Sequence, residues 1–534
     1  MNFKKKNILF FMFCLTCIIQ AGYAQSVYRD RPESFRERKA DLVSAKAIMP
    51  VVDLTANREE DLSLDSAKLP YRFGFNHKTD YTTSNSGQWN FTENGYRIWI
   101  LHIQDYGAQT INLGFNNFRL GKESRLYVYT PSHSVVLGPY TAAQNFTDRE
   151  MATDLVTTAE LYVELDEPLL GEVSEFTLCR VTHGYRSLDY TRSFGQAGSC
   201  IPNVRCPEGD LWADQRRSVI CLVTGGNAFC SATLINNTSS DGTPYVLTAN
   251  HCGTPSGSWV FRFNWESASC ATPSSGPPAS QAINGAIAIA HNAFSDFALC
   301  KMNAIPPSSF RAFYAGWSRS SAPADSVCTI HHPSGDIKKI SLSHNPVTAG
   351  TWAGASVWQT GPWTTGCTES GSSGAPLFDS HRHLVGQLYS GPSACGVAIA
   401  QDYDCFGRFD ISWNSDTLAQ GRLHDWLDPI NTGALTNEGF DPNGAGIQKH
   451  ELLTMEIFPN PARETALLRL SETLEEASTL TLFSLDGKEA VTPVQLLPGN
   501  KEYRIDCSKL NAGIYLVRIQ SQRISGTRLL TIFE

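Results

Sequence analysis

Apolar residues fall at every second position in several short stretches of this chain. The pattern is clear in Thr110-Ile-Asn-Leu-Gly-Phe115, Ser124-Arg-Leu-Tyr-Val-Tyr129 and Ala159-Glu-Leu-Tyr-Val-Glu164, and looser in Tyr96-Arg-Ile-Trp-Ile-Leu-His-Ile103. It returns near the other end in Ser478-Thr-Leu-Thr-Leu-Phe-Ser-Leu-Asp-Gly487, in Leu510-Asn-Ala-Gly-Ile-Tyr-Leu-Val-Arg-Ile519 and in Leu529-Leu-Thr-Ile-Phe533. A period of two puts alternate side chains on opposite faces of a strand, and the Gly, Pro and Asn between these runs supply turns. The pattern predicts a small β-sandwich over 66–194 and another over 453–534. Between them an apolar strand, Tyr245-Val-Leu-Thr-Ala-Asn-His-Cys252, ends in a histidine. The chain reads as all-β.

Other stretches mark boundaries. Residues 1–24 have a Lys-rich start, an apolar run from Ile8 to Ile19 and the small-residue end Ala21-Gly-Tyr-Ala24, which predicts a signal peptide cut before Gln25. A lipoprotein anchor would use Cys17, whose preceding residues fit that signal poorly. Residues 25–65 are rich in charge and read as a solvated leader or linker. Asp441-Pro-Asn-Gly-Ala-Gly446 opens a flexible linker over 442–452. At 534 residues the chain is too long for one domain. A net charge of -9 gives no support for nucleic-acid binding. Beyond the signal, no apolar run reaches the roughly 18 residues that span a bilayer. The 15 cysteines, most of them between 200 and 405, point to disulfides and an oxidising compartment.

The candidate chemistry lies in 195–441. Cys367-Thr-Glu-Ser-Gly-Ser-Ser-Gly-Ala-Pro-Leu-Phe378 places Ser373 in a glycine-flanked turn. Such a serine needs a base beside it and donors for an oxyanion, and the N–H groups of Gly371 and Ser373 are the candidate donors. His251 is the candidate base. Asp296, set among apolar residues in Ala293-Phe-Ser-Asp-Phe-Ala-Leu299, is the candidate to orient it, since an unpartnered carboxylate there would be costly. The order His251, Asp296, Ser373 is that of chymotrypsin-type enzymes.

Residues 199–441 resemble the lysyl endopeptidase group of bacterial serine proteases, within the trypsin-like superfamily. The matching pieces include Ser199-Cys200, Cys206-Pro-Glu-Gly-Asp210, Leu247-Thr-Ala-Asn-His-Cys252, Tyr314-Ala-Gly-Trp317, Ile330-His-His-Pro333, Gly371-Ser-Ser-Gly374 and Asp425-Trp-Leu-Asp-Pro429. The resemblance implies a trypsin-like double β-barrel over 195–441 with the triad in the cleft. It also implies the disulfides Cys200–Cys395, Cys206–Cys270 and Cys230–Cys252. A bond between Cys367 and Cys405, bracing the pocket wall, is a further expectation, while Cys221, Cys300 and Cys328 are left unpaired. Residues 66–194 resemble the group's pro-region, with a carbohydrate-binding module as the rival reading, and a maturation cut is expected near Arg192-Ser-Phe194. With the start Phe458-Pro-Asn-Pro461, the Asp486-Gly487 hairpin and the strand Gly513-Ile-Tyr515, residues 453–534 resemble the C-terminal sorting domain of type IX secretion cargo, with an immunoglobulin-like adhesion module as the rival. This implies passage across the outer membrane by the secretion machinery, to the surface or the medium.

For substrate choice, trypsin-type enzymes carry a pocket carboxylate six residues before the nucleophile, where this chain has Cys367. Lysyl endopeptidases place it later, and the matching residue is Asp404, nine residues after Cys395, with Asp402 as its rival. A buried carboxylate there would pair with a basic side chain of a protein or peptide substrate. Tyr389 stands where the group carries histidine, and Trp352 is the candidate pocket-wall aromatic, so Lys against Arg is left open. His331-His332 reads as structural, and no metal or cofactor is expected. The alternative class, a binding or adhesion protein that keeps the fold, would be marked by a lost triad residue, and none is lost.

Overall fold

The computed structural model describes residues 31–36, 43–186, 197–273, 281–444, 451–452, 455–471, 473–474, 478–484, 488–520 and 524–533. The expected signal peptide and the maturation site near Arg192 lie outside them, as does the Asp486-Gly487 turn. The chain divides into two compact units, residues 1–442 and 443–534.

The larger unit begins with the predicted sandwich. One sheet runs in the order Ala45–Ile48, Tyr96–Gln104, Glu160–Pro168, Arg125–Tyr129, Val136–Tyr140, with Gln88–Phe91 also on Tyr96–Gln104; the facing sheet is Gly74–Thr82, Glu175–Gly184, Thr110–Arg119, Met151–Ala152. The alternating residues do what their period requires: Leu161, Val163 and Leu165 meet Ile111, Leu113, Phe115 and Val181 in one core. The outer face of Glu160–Pro168 carries Glu164 and Asp166, which are also buried. Two of their partners come from the stretch expected to be solvated. Ser34 N–H donates to Glu164 (2.9 Å), as does Tyr129 OH (2.6 Å), and Glu33 N–H donates to Asp166 (3.0 Å). Ala45–Ile48 adds a parallel edge strand, and Thr55–Ser66 is an α-helix. The leader reading of 25–65 is thereby corrected for its described residues: buried carboxylates need donors, and this segment supplies them.

The double barrel follows. In the first barrel the path is Ala282–Asn284, Val260–Arg262, Val219–Thr224, Ala228–Leu234, Tyr245–Ala249, Phe297–Met302, Ala286–Asn292. Its two ends are successive pieces of one strand broken at Gly285, so the sheet closes on itself. Tyr71–Arg72, from the N-terminal region, joins Ala228–Phe229 as an added antiparallel edge. The second sheet runs Lys339–Ser343, Val327–His331, Pro376–Asp379, Leu384–Ser390, Cys405–Arg408, Ala355–Gln359, Thr348–Trp352. Phe297 and Leu299 of the first barrel pack with Trp317, Cys328, Phe378 and Phe409 between the two. That shared core fixes the cleft. The smaller unit sets a five-stranded sheet against a three-stranded one around Leu468, Leu482, Val517 and Leu530. Among the described residues, no helix is long and apolar enough to cross a membrane.

Candidate active site

His251 sits in a short 3-10 turn at the end of strand Tyr245–Ala249, and Asp296 in the turn before Phe297–Met302. These strands pair antiparallel, Ala249 opposite Phe297, so their ends meet by register. The Asp296 carboxylate accepts the His251 backbone N–H (3.0 Å) and contacts the ring Nδ1 (2.7 Å), while Asp296 O accepts Asn250 N–H (2.8 Å). Asp296 takes φ 54°, a left-handed conformation that Asp tolerates better than most residues. One bond to the ring and two to its backbone segment thus fix His251, and among the described residues its Nε2 has no hydrogen-bond partner, Ser373 Oγ included.

Ser373 lies in the turn against the same segment: its carbonyl accepts Ser231 N–H (2.8 Å) and sits 3.8 Å from Cys252 Sγ. The flanking glycines are required there. Gly371 has φ 87° and Gly374 φ 81°. A Cβ on Gly374 would fall 2.2 Å from Thr248 Oγ1 and 2.4 Å from Ser231 O. Ser372, between Gly371 and Ser373, is held by His331 Nδ1 at 2.7 Å, with Ser341 Oγ 3.2 Å from the other ring nitrogen. Burial drives the His331 pKa down to about 3, so it is a neutral prop.

Asp404 is fully buried beside this turn. Its Oδ2 accepts Trp363 Nε1 (2.8 Å), Thr368 Oγ1 (2.9 Å) and Ser393 Oγ (2.6 Å). Oδ1 faces the pocket, and a cation is already there. Lys68 Nζ lies 2.8 Å from Asp404 Oδ1, 2.8 Å from Ser393 Oγ and 3.0 Å from Thr368 Oγ1. At the other end of that residue Ser373 Oγ donates to Lys68 O at 3.0 Å. Nothing in the sequence around Ala67-Lys68-Leu69 pointed to the site. Asp402, the rival acid, is only half-buried.

The aromatics divide differently from the expectation. The indole that reaches Asp404 belongs to Trp363. Trp352 packs with Tyr389 and Tyr403 around Ala355, Val357 and Cys405. Tyr389 lies with its ring 5.6 Å from that of His251. The pairs Cys200–Cys395, Cys206–Cys270 and Cys230–Cys252 are bonded as the resemblance implied. The expected Cys367–Cys405 bond is not formed, and both are free and buried. Cys367 Sγ points instead at the first disulfide, 3.7 Å from Cys200 and 4.0 Å from Cys395. Cys405 packs with Ala355 and Val357.

Similarity to known proteins follows the same division of the chain. Residues 194–407 match the family described as lysyl endopeptidase, C-terminal domain, and residues 456–532 the secretion system C-terminal sorting domain. A lysyl endopeptidase of Pseudomonas aeruginosa is 29% identical over 260 residues, covering 45% of this chain and 54% of that protein. The chain therefore spans about half the length of that curated relative. Among solved structures, a Glu endopeptidase in complex with MPD aligns over 40% of this chain and 92% of its own (16% identity, TM-score 0.26). Kallikrein-related peptidase 10 aligns over 41% and 98% (16% identity, TM-score 0.28). Two successive stretches of the chain thus match known families, the first the lysyl endopeptidase C-terminal domain and the second the secretion-system sorting domain.

Proposed function

We propose that this chain is a secreted serine endopeptidase that cuts peptide bonds after basic residues, lysine before arginine. One observation carries the reading: a lysine side chain fills the pocket over Asp404 while the carbonyl of the same residue lies against Ser373 Oγ. A substrate's cleavage-site residue would likewise put its cation on the acid and its carbonyl beside the nucleophile, with that carbonyl turned onto the oxyanion donors.

In the reaction, Ser373 Oγ attacks the carbonyl and its proton passes to His251 Nε2. Asp296 holds the imidazole in the tautomer that leaves Nε2 free and stabilises the cation that forms. The N–H groups of Gly371 and Ser373 receive the oxyanion. His251 then protonates the leaving amine, and water releases the acyl group by the reverse route. Lysine is favoured on length. The ammonium already contacts Asp404 directly and donates to two hydroxyls, a fit that the longer, planar guanidinium would have to adjust.

The sorting domain supports export by the type IX route to the surface or the medium. Deleting 453–534 should strand the protein in the periplasm, and normal export of that truncation would refute the route. The test of the function is labelling of Ser373 by a sulfonyl fluoride together with kcat/KM on matched peptides with Lys, Arg or Leu before the cut. A chain that is neither labelled nor active after the segment before Leu69 has been removed is a binding protein on a protease scaffold.

A further inference from the structure

Lys68 does not arrive in the pocket as a loose loop. It is the second residue past the helix Thr55–Ser66, after the C-cap Ala67, and the helix end closes with Leu69 N–H on Leu64 O (3.2 Å) and Lys68 N–H on Asp65 O (3.1 Å). These two bonds are a Schellman cap, and Lys68, at φ 51°, occupies its left-handed position, which glycine usually fills. A lysine there is conformationally costly, and its side chain is bound where the cap points it.

Around it the chain threads the cleft. Ser390 Oγ donates to Ala67 O (3.1 Å) and Ser370 Oγ to Leu69 O (2.6 Å). Tyr71–Arg72 then pairs with Ala228–Phe229. The helix and this strand are braced across the plug: Arg72 Nε lies 2.7 Å from Asp61 Oδ1, Arg72 Nη1 lies 2.7 Å from Glu60, and Tyr185 OH donates to Asp61 (2.8 Å).

We propose that Lys68–Leu69 is a self-processing site: the chain holds its own N-terminal segment as first substrate, and this segment blocks the pocket until it is cut. The inference rests on the peptidase reading above. The bond is held uncut because the cap keeps its carbonyl on the Ser373 hydroxyl. Neither the Gly371 nor the Ser373 N–H, both among the described residues, donates to Lys68 O. Cutting requires Lys68 to leave the left-handed conformation, give up the two cap bonds and turn its carbonyl onto those N–H groups. Ser373 Oγ then bonds to the Lys68 carbonyl carbon as its proton passes to His251. The bond to the Leu69 nitrogen breaks as that nitrogen takes the proton. Water, deprotonated by the same imidazole, releases Lys68 as a free carboxylate and restores Ser373.

The experiment follows the purified full-length chain by mass spectrometry from the moment of refolding. Wild type should yield a fragment ending at Lys68 and one beginning at Leu69, at a rate unchanged over a tenfold dilution. Ser373→Ala should yield neither. Lys68→Gly suits the cap, thermal unfolding checks that it folds without the cation on Asp404, and it should slow this cut by about 10⁴-fold, since the pocket's buried polar groups lose their partner. Processing only at other bonds while Lys68–Leu69 stays intact would overturn the inference, and so would a rate that falls in proportion to dilution. A free lysyl peptide assayed on the same preparation separates the two readings. Its cleavage with Lys68–Leu69 intact defeats only the self-processing, whereas a preparation that cuts neither, and still fails on the peptide once the segment before Leu69 has been removed by an added protease, defeats the peptidase reading.

Discussion

Replacing Asp404 with asparagine is the sharpest probe of the pocket. The carboxylate is fully buried and divides its work between its oxygens: Oδ2 takes the indole N–H of Trp363 and two hydroxyls, and Oδ1 takes the ammonium. Asparagine can keep its carbonyl oxygen on the three neutral donors, so the local fold should survive. Its NH2 then faces the incoming cation, donor against donor. Removing one partner of a buried ion pair costs about 3–5 kcal/mol. At about 1.4 kcal/mol per tenfold, kcat/KM on a lysyl peptide should fall by between about 10² and 10⁴. The assay compares peptides with Lys, Arg or norleucine before the cut, with thermal unfolding of both proteins alongside. Norleucine has a similar length and no charge, so its cleavage should be unchanged or improved. A loss on the lysyl peptide below threefold, or an equal loss on lysine and norleucine, would refute the assignment of Asp404 as the pocket acid.

Two further outcomes follow from the geometry. Asp296→Asn should leave the fold intact and lower kcat by about 10⁴, because an amide can hold His251 in the tautomer that points its proton at Ser373; activity within tenfold of wild type would show that Asp296 does not orient the base. Asp428, in the Asp425-Trp-Leu-Asp-Pro429 motif, accepts Thr238 Oγ1 (2.7 Å), Thr432 N–H (2.9 Å) and Gly433 N–H (2.9 Å). Burial pushes its pKa up, but these bonds outweigh burial and hold it at about 2. With the folded value below the unfolded one of about 3.9, its stabilisation is complete above that value and is lost as pH falls toward 2. The stability gap between wild type and Asp428→Asn, measured by urea unfolding, should therefore narrow between pH 5 and pH 2, and a constant gap would refute the linkage.

How far the sequence could be read depended on whether a signal was local. The strands of both sandwiches follow from their period. His251 and Asp296 follow from chemistry plus apolar surroundings, because a strand-end histidine and a buried acid each need a partner. Asp404 was legible only through its spacing after Cys395 in the resembling group; composition alone favours neither it nor Asp402. Trp363 was missed in favour of Trp352, since nothing in either neighbourhood says which indole N–H lacks an acceptor. The Cys367–Cys405 expectation failed for a related reason. Both cysteines lie near the pocket, but Cys367 faces the Cys200–Cys395 bond and Cys405 an aliphatic cluster. The buried Glu164 and Asp166 hid the role of Glu33 and Ser34, because a strand's outer face is ordinarily wet.

Lys68 was beyond sequence reading altogether, since its contact with Asp404 spans 336 positions and only the folded chain creates it. It also ties two properties together. On the proposed reading the carboxylate that would select a substrate's lysine also holds the internal one, so loss of its charge should act in opposite directions on the two states of the protein. In the precursor, Asp404→Asn removes the main hold on the plug and should open the cleft to small reagents aimed at Ser373. In the processed enzyme it should cripple cleavage after lysine. A merely structural Asp404 would weaken both states alike, so labelling of Ser373 in the uncut variant, set beside its kcat/KM once an added protease has removed the N-terminal segment, separates a selecting residue from a supporting one.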